Sequence, residues 1–354
     1  MSDVYEKLRQ KLDDLSVGYP ATPNKVEIKI LKRLFKEEHA ELFLHMLPIL
    51  EEPAIIAERA GKDTEYVESL IEEMAKKGLV FRKRDKDRVR YSAPPFVIGI
   101  FEYQVNQMDK EMASDLEEYH DKAVMKIVQA FKTPLMRTIP VNKELVVKWP
   151  IAPYEDVLQI FDSQKTISVA NCVCRTMGRL TESGCDKPIE ACFSFGATAD
   201  YYVENGMGRY VSADQAKQIV KENLEKAPLV MQPVNSQKIG GLCMCCGDCC
   251  GMLKSLKLQP NPAASVKSNY FAQVDDSKCE GCELCLERCQ MEAIRLVDEI
   301  AIIDYDRCIG CGLCVPTCPG DALELIKKKE DDQYTPPENF MGTYMNIAKE
   351  RGKI

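Results

Sequence analysis

The stretch Cys279-Glu-Gly-Cys-Glu-Leu-Cys-Leu-Glu-Arg-Cys289 and its echo Cys308-Ile-Gly-Cys-Gly-Leu-Cys-Val-Pro-Thr-Cys318 decide how this chain is read. Each has the spacing Cys-x2-Cys-x2-Cys-x3-Cys. The second follows the first at an offset of 29 residues throughout, with Gly281 matching Gly310 and Ala293 matching Ala322. Seventeen cysteines occur in 354 residues, all between Cys172 and Cys318, whereas the only three histidines (His39, His45, His120) lie upstream of them. The first residues are charged and no apolar leader follows, so a cytoplasmic chain is expected, in which disulfides are disfavoured. Clustered thiols there read as metal ligands. A ligand set of thiolates alone selects zinc or iron–sulfur.

Two residues between thiolates let a tight, glycine-relieved loop wrap three corners of a cubane, and the fourth cysteine reaches the other cluster. One [4Fe-4S] cluster is therefore expected on Cys279, Cys282, Cys285 and Cys318, and the other on Cys308, Cys311, Cys314 and Cys289. This pattern resembles the dicluster domain of bacterial two-[4Fe-4S] ferredoxins over about 54 residues, and the resemblance implies electron transfer. Zinc sites use other spacings. One departure stands out. Gln290 follows Cys289 where the ferredoxin pattern usually has Pro, as it does at Pro319. Proline fixes φ and helps aim the ligand, so altered hydrogen bonding is expected around one cluster. Residues 275–328 carry twelve acidic and six basic side chains. That excess lowers a cluster's potential and steers the domain towards basic partner surfaces.

Nine further cysteines lack this spacing. Cys172, Cys174, Cys185 and Cys192 form one group; Cys243, Cys245, Cys246, Cys249 and Cys250 form another, flanked by Gly240, Gly241, Gly247 and Gly251. Cys172 and Cys174 fall at the end of an expected strand, where period two puts both on one face. The adjacent pairs Cys245-Cys246 and Cys249-Cys250 diverge, so one member of each can serve one metal and its neighbour a second. One or two thiolate sites follow, with iron–sulfur favoured over zinc or free thiols. Arg175 and Arg179 either offset thiolate charge or bind an anion, and the former is preferred.

The cysteine-free part reads as mostly helical. Helices are expected at about 24–35, 40–47 and 53–60, with Gly61 turning the chain. A further helix is capped by Asp63 or Thr64, and in it Val67, Leu70, Ile71 and Met74 share a face. Strands Leu79–Lys83 and Arg88–Ser92 follow. This order resembles a winged helix-turn-helix domain. Its recognition helix presents Glu65, Tyr66, Glu68, Ser69, Glu72 and Glu73, which repel phosphates, and only the tip Arg82–Arg90 is basic. DNA binding is thus disfavoured against protein docking. Phe101, Val105, Met108, Met112, Leu116 and Tyr119 form a stripe on a long or bent helix over 96–131, suited to a core or to a homo-oligomer interface. Strands are expected at Arg137–Val141 and Glu144–Lys148, a helix at Pro153–Gln164 and a strand at Thr166–Val173. Ser212 with Gln215 forms a capping box opening a helix to about Lys226.

The fold class expected is α+β: a winged-helix-like domain (23–95), a helical connector (96–164), a mixed α/β Cys-rich domain (165–270), a dicluster ferredoxin domain (275–328) and a C-terminal strap (329–354). The whole resembles 4Fe-4S dicluster proteins of anaerobic microbes, which implies a redox partner protein. The net charge of −8 argues against a chain-wide nucleic-acid surface. No run approaches the ~18 apolar residues of a membrane span. Neither a Gly-x-Gly-x-x-Gly after a strand nor a Walker loop is present. Three functions remain open. The chain is an electron carrier or the electron-wiring subunit of an anaerobic oxidoreductase, an oxidoreductase with its own centre at Cys243–Cys250, or a redox-sensing transcription regulator.

Overall fold

The computed structural model describes residues 3–141 and 152–354. It has an α+β architecture, with a helical N-terminal half, a five-stranded antiparallel sheet and two C-terminal two-stranded sheets.

The N-terminal helices Val4–Asp14, Val26–Leu34, Glu37–Leu44, Pro53–Ala60 and Thr64–Lys76 precede an antiparallel hairpin, Phe81–Asp85 with Arg88–Ser92. Pro53 opens its helix and Gly61 closes it in the left-handed region. Asp63 caps the next helix by accepting from the Tyr66 N–H. Val67, Leu70, Ile71 and Met74 are buried, as their spacing predicts. The first strand starts two residues later than expected, because Leu79 and Val80 are wholly buried plugs rather than ladder residues.

The expected long helix over 96–131 is broken. A π-turn at Phe96–Ile100 and a short turn at Glu102–Gln104 come first. The helix Lys110–Tyr119, capped by Asp109, then runs through a second π-turn into Met125–Gln129. Its stripe of Phe101, Val105, Met108, Met112, Leu116 and Tyr119 is core, buried within this one chain, and so offers no surface to a second copy. That core continues without a break into Val173, Met177, Tyr201 and Tyr202 of the Cys-rich part.

The five-stranded sheet runs in the order Gly208–Tyr210, Ile167–Asn171, Glu190–Phe195, Gly241–Cys245, Val230–Pro233, every pair antiparallel. Arg137–Val141 is no strand. Only isolated bridges from Met136 to Val234 and from Ile139 to Met231 tie it to the sheet. The strand expected at Glu144–Lys148 lies outside the described residues. The helix expected at Pro153–Gln164 is shorter, Val157–Asp162, since Asp156 caps it by accepting from Leu158 and Gln159. The helix Ala213–Lys226 carries the complete Ser212/Gln215 capping box. The tail helix Phe340–Glu350 lies across the chain's own surface. Tyr344 donates to the Ile98 carbonyl, and Arg351 reaches back to the Asp13 and Leu15 carbonyls.

The basic tip is largely neutralised within the fold. Buried Arg82 bridges Glu72 of the preceding helix and Glu204 of the helix Ala197–Glu204, and Arg84 binds the same two carboxylates. Arg90 and Lys83 both pair with Asp85. Tyr201 fixes the same junction, its hydroxyl within hydrogen-bond distance of the Ala75 and Val80 carbonyls at 2.9 and 2.8 Å. Removing one member of a buried ion pair leaves its partners uncompensated. Arg82→Met should therefore cost about 3 kcal/mol of stability, against about 1 kcal/mol for Tyr201→Phe, measured by denaturant unfolding. Equal, small losses would mean that the ion pairs do not hold the junction.

Candidate metal centres

Two two-stranded sheets build the C-terminal site. Strand Tyr270–Val274 pairs with Leu323–Lys327, and Ile294–Val297 with Ile300–Ile303, both antiparallel. Cys279, Cys282, Cys285 and Cys318 line one cavity, and Cys289, Cys308, Cys311 and Cys314 line a second. The two enclose equal space, ≈ 390 Å³ each with open solvent included. Each cavity thus takes three cysteines from one motif and the fourth from the other.

The same 29-residue offset relates the supporting hydrogen bonds. Ala301 N–H donates to Cys279 Sγ (3.4 Å), and Ala272 N–H to Cys308 Sγ (3.5 Å). Ala322 N–H donates to Cys318 Sγ and Ala293 N–H to Cys289 Sγ, both at 3.2 Å. Backbone N–H groups aimed at sulfur favour the thiolate, the form that binds metal. Gly281 and Gly310 both sit at φ +65°; a Cβ there would meet the Glu299 carbonyl oxygen at 2.5 Å and the Tyr270 carbonyl oxygen at 2.0 Å. No side chain fits such an approach. Burial pushes the metal-free Cys311 thiol up to about 12, so loading this site displaces protons. Four convergent thiols with N–H donors and side-chain-free loops suit an iron–sulfur group in each cavity.

The nine upstream thiols are brought together, in a grouping that cuts across their order in sequence. Cys185, Cys246 and Cys249 form one set, with all sulfurs within 4.8 Å of one another. Cys172, Cys174, Cys250, Cys245, Cys243 and Cys192 form a second, a row of thiols that line one space and lie close enough to shift one another's titration. The adjacent pairs do diverge, Cys245 and Cys250 going to the row and Cys246 and Cys249 to the trio. Register explains part of this: Cys192 lies directly opposite Cys243 on neighbouring strands.

Cys172 and Cys174 do not share a strand face. The strand stops at Asn171 and the helix Val173–Leu180 begins, with Cys172 as its cap and Cys174 in its first turn. Backbone N–H groups of Met252 and Leu253 point at Cys250 in the same way at the start of the helix Gly251–Lys257.

Arg175 is fully buried. Its Nε donates to Cys246 Sγ (3.5 Å), and its two other nitrogens donate to the Pro188 and Met244 carbonyls. It balances thiolate charge, whereas Arg179 pins the Cys185 loop through the Cys185 and Lys187 carbonyls. Around the thiol row lie Phe101, Glu102, His120, Met125 and Met136. Burial raises the Glu102 carboxyl to about 8 and lowers His120 to about 4, so near pH 7 His120 is neutral and Glu102 mostly so. Sequence reasoning passed over both residues, since nothing in the local pattern brings a separate helical segment to the cysteines.

The two C-terminal motifs match the 4Fe-4S binding domain family, at residues 272–295 and 301–324. Residues 272–324 therefore form a ferredoxin-type iron–sulfur domain with an electron-transfer role. No curated protein and no solved structure matches the chain. Among the described residues no helix is long and apolar enough to cross a membrane.

Gly310→Ala should remove one iron–sulfur group while Gly312→Ala, where a Cβ meets nothing closer than 3.5 Å, strains only φ. The measurement is iron and acid-labile sulfide per chain after anaerobic purification. Full iron in Gly310→Ala would show that the close carbonyl approach is dispensable.

Proposed function

We propose that this chain relays electrons between a protein donor and its own Cys-rich half, as a carrier or as the electron-wiring subunit of an anaerobic oxidoreductase in the cytoplasm. Two [4Fe-4S] clusters would sit on Cys279, Cys282, Cys285 and Cys318, and on Cys289, Cys308, Cys311 and Cys314; when bound they supply one-electron transfer. Cys282 is exposed, which favours the first set as the contact point for a partner. The acidic surface around it favours a basic partner. The trio and the row of upstream thiols would hold one or two more sites, iron–sulfur in preference to zinc.

The observation that carries this reading is the join between the halves. Gln290, next to Cys289, accepts a hydrogen bond through Oε1 from the Gly247 N–H at 2.8 Å. Gly247 follows Cys246 directly. A proline at 290, usual in the ferredoxin pattern, could not make that bond. The departure from the pattern thus supplies a short covalent and hydrogen-bonded path from one ferredoxin ligand to the upstream trio.

The N-terminal helices and hairpin are read as a winged helix used for docking on the rest of the chain. The support is the commitment of Arg82 and Arg84 to Glu72 and Glu204. A regulator that reads DNA would need those cations free.

Gln290→Pro should keep the ferredoxin half's iron yet slow reduction of the upstream centre at least tenfold after rapid mixing with a reduced one-electron donor. Gln290→Ala should behave alike. Unchanged rates in both variants would overturn the relay through Gly247. Cys318→Ala should damage the cluster held by Cys279, Cys282 and Cys285 and leave the other intact, read by EPR of the reduced protein. An undisturbed first signal would refute the crossed ligand sets.

A further inference from the structure

One apolar cavity lies outside both ferredoxin sites. It measures ≈ 510 Å³, inside the range of about 300–1,000 Å³ typical of small-molecule sites. Its walls are apolar: Phe193, Leu242, Val234, Phe340 and Met345 contribute, and the tail helix forms one side. It abuts the thiol row, because Ile98, Glu102, Met136, Cys192 and Cys243 border this cavity and the row's own space alike. Tyr103 and Tyr202 border it at that same end, 8% and 4% exposed. Among the described residues no protein group hydrogen-bonds either phenol. Glu102 accepts from the Gly99 N–H through Oε2 (2.6 Å), which leaves its other oxygen uncommitted by that bond. Among the described residues the one lysine on the lining, Lys353, sits with Asp14 and is already paired to it.

We propose that this cavity binds a neutral, apolar small molecule carrying one carbonyl group, with the carbonyl at the Tyr103–Tyr202 end and hence beside Cys192 and Cys243. The occupant's chemistry follows from the lining. An apolar wall rewards a hydrocarbon or aromatic body through buried area. Two buried phenols are donors that lack a protein acceptor, and a carbonyl oxygen supplies one. A carboxylate is disfavoured, since it would have to shed its water next to Glu102 and the thiol row without a free cation to meet it. The position of the cavity deepens the relay reading by giving the Cys-rich half a molecule to act on; binding itself does not depend on that reading.

The test uses the full chain, purified anaerobically with its metals, and calorimetric titration with 1-acetonaphthone. Naphthalene serves as the probe without a carbonyl and 1-naphthoate as the charged one. We expect saturable 1:1 binding of the ketone, at least tenfold tighter than either control. Met345→Trp, at an exposed position on the rim, should weaken all binding at least tenfold. Tyr103→Phe/Tyr202→Phe should weaken the ketone about tenfold and leave naphthalene unchanged. Absence of saturable ketone binding, or ketone affinity untouched by both variants, overturns the proposal. Ligand binding that persists when Gln290→Pro shows normal electron transfer rates would leave the pocket standing and sink only the relay.

Discussion

One buried guanidinium organises the Cys-rich half. Arg175 joins three separate stretches: its own helix, which carries Cys172 and Cys174; the loop of Cys185 through the Pro188 carbonyl; and the strand end of Cys243–Cys246 through the Met244 carbonyl and the Cys246 sulfur. A buried cation is costly unless its hydrogen bonds are satisfied and opposite charge is near. Thiolates supply that charge. The arginine and the cysteines therefore require one another, and the geometry of the trio and the row follows from where that single side chain must sit.

The ferredoxin half obeys a different constraint, internal symmetry. A 29-residue offset maps ligand to ligand, supporting N–H to supporting N–H, and Gly281 with its Glu299 carbonyl onto Gly310 with its Tyr270 carbonyl. Position 290 differs from its counterpart Pro319, and it is there that the domain meets the Gly247 loop. A symmetric unit acquires a direction by altering one of two equivalent positions. The altered residue follows Cys289, a ligand of one cavity, while Cys282, a ligand of the other cavity, is exposed.

Apolar continuity ties the N-terminal helices to this arrangement. The stripe from Phe101 to Tyr119 packs into the same core as Val173 and Met177, so the helical half forms part of the wall around the thiol row. Glu102 and His120 are delivered from that wall. The hairpin's arginines, which in isolation give a basic tip, instead act as clamps on Glu72 and Glu204.

The sequence by itself determined whatever is local or periodic. The two cysteine motifs, Pro53 and Gly61 around one helix, the Asp63 cap and the Ser212/Gln215 box each act within a few residues, where spacing dictates geometry. The apolar face of Val67, Leu70, Ile71 and Met74 was legible for the same reason. Tertiary structure alone decided which of the nine upstream thiols meet, because that depends on the pairing of Cys192 with Cys243 across strands and on a helix that starts at Val173, capped by Cys172, where β-periodicity continues through Val173. It also decided that the Phe101–Tyr119 stripe is core rather than interface, and that Gln290 reaches Gly247 across 43 residues of chain. Such contacts carry no local signature: a side chain 43 residues away is brought into hydrogen-bond range only by the packing of whole elements.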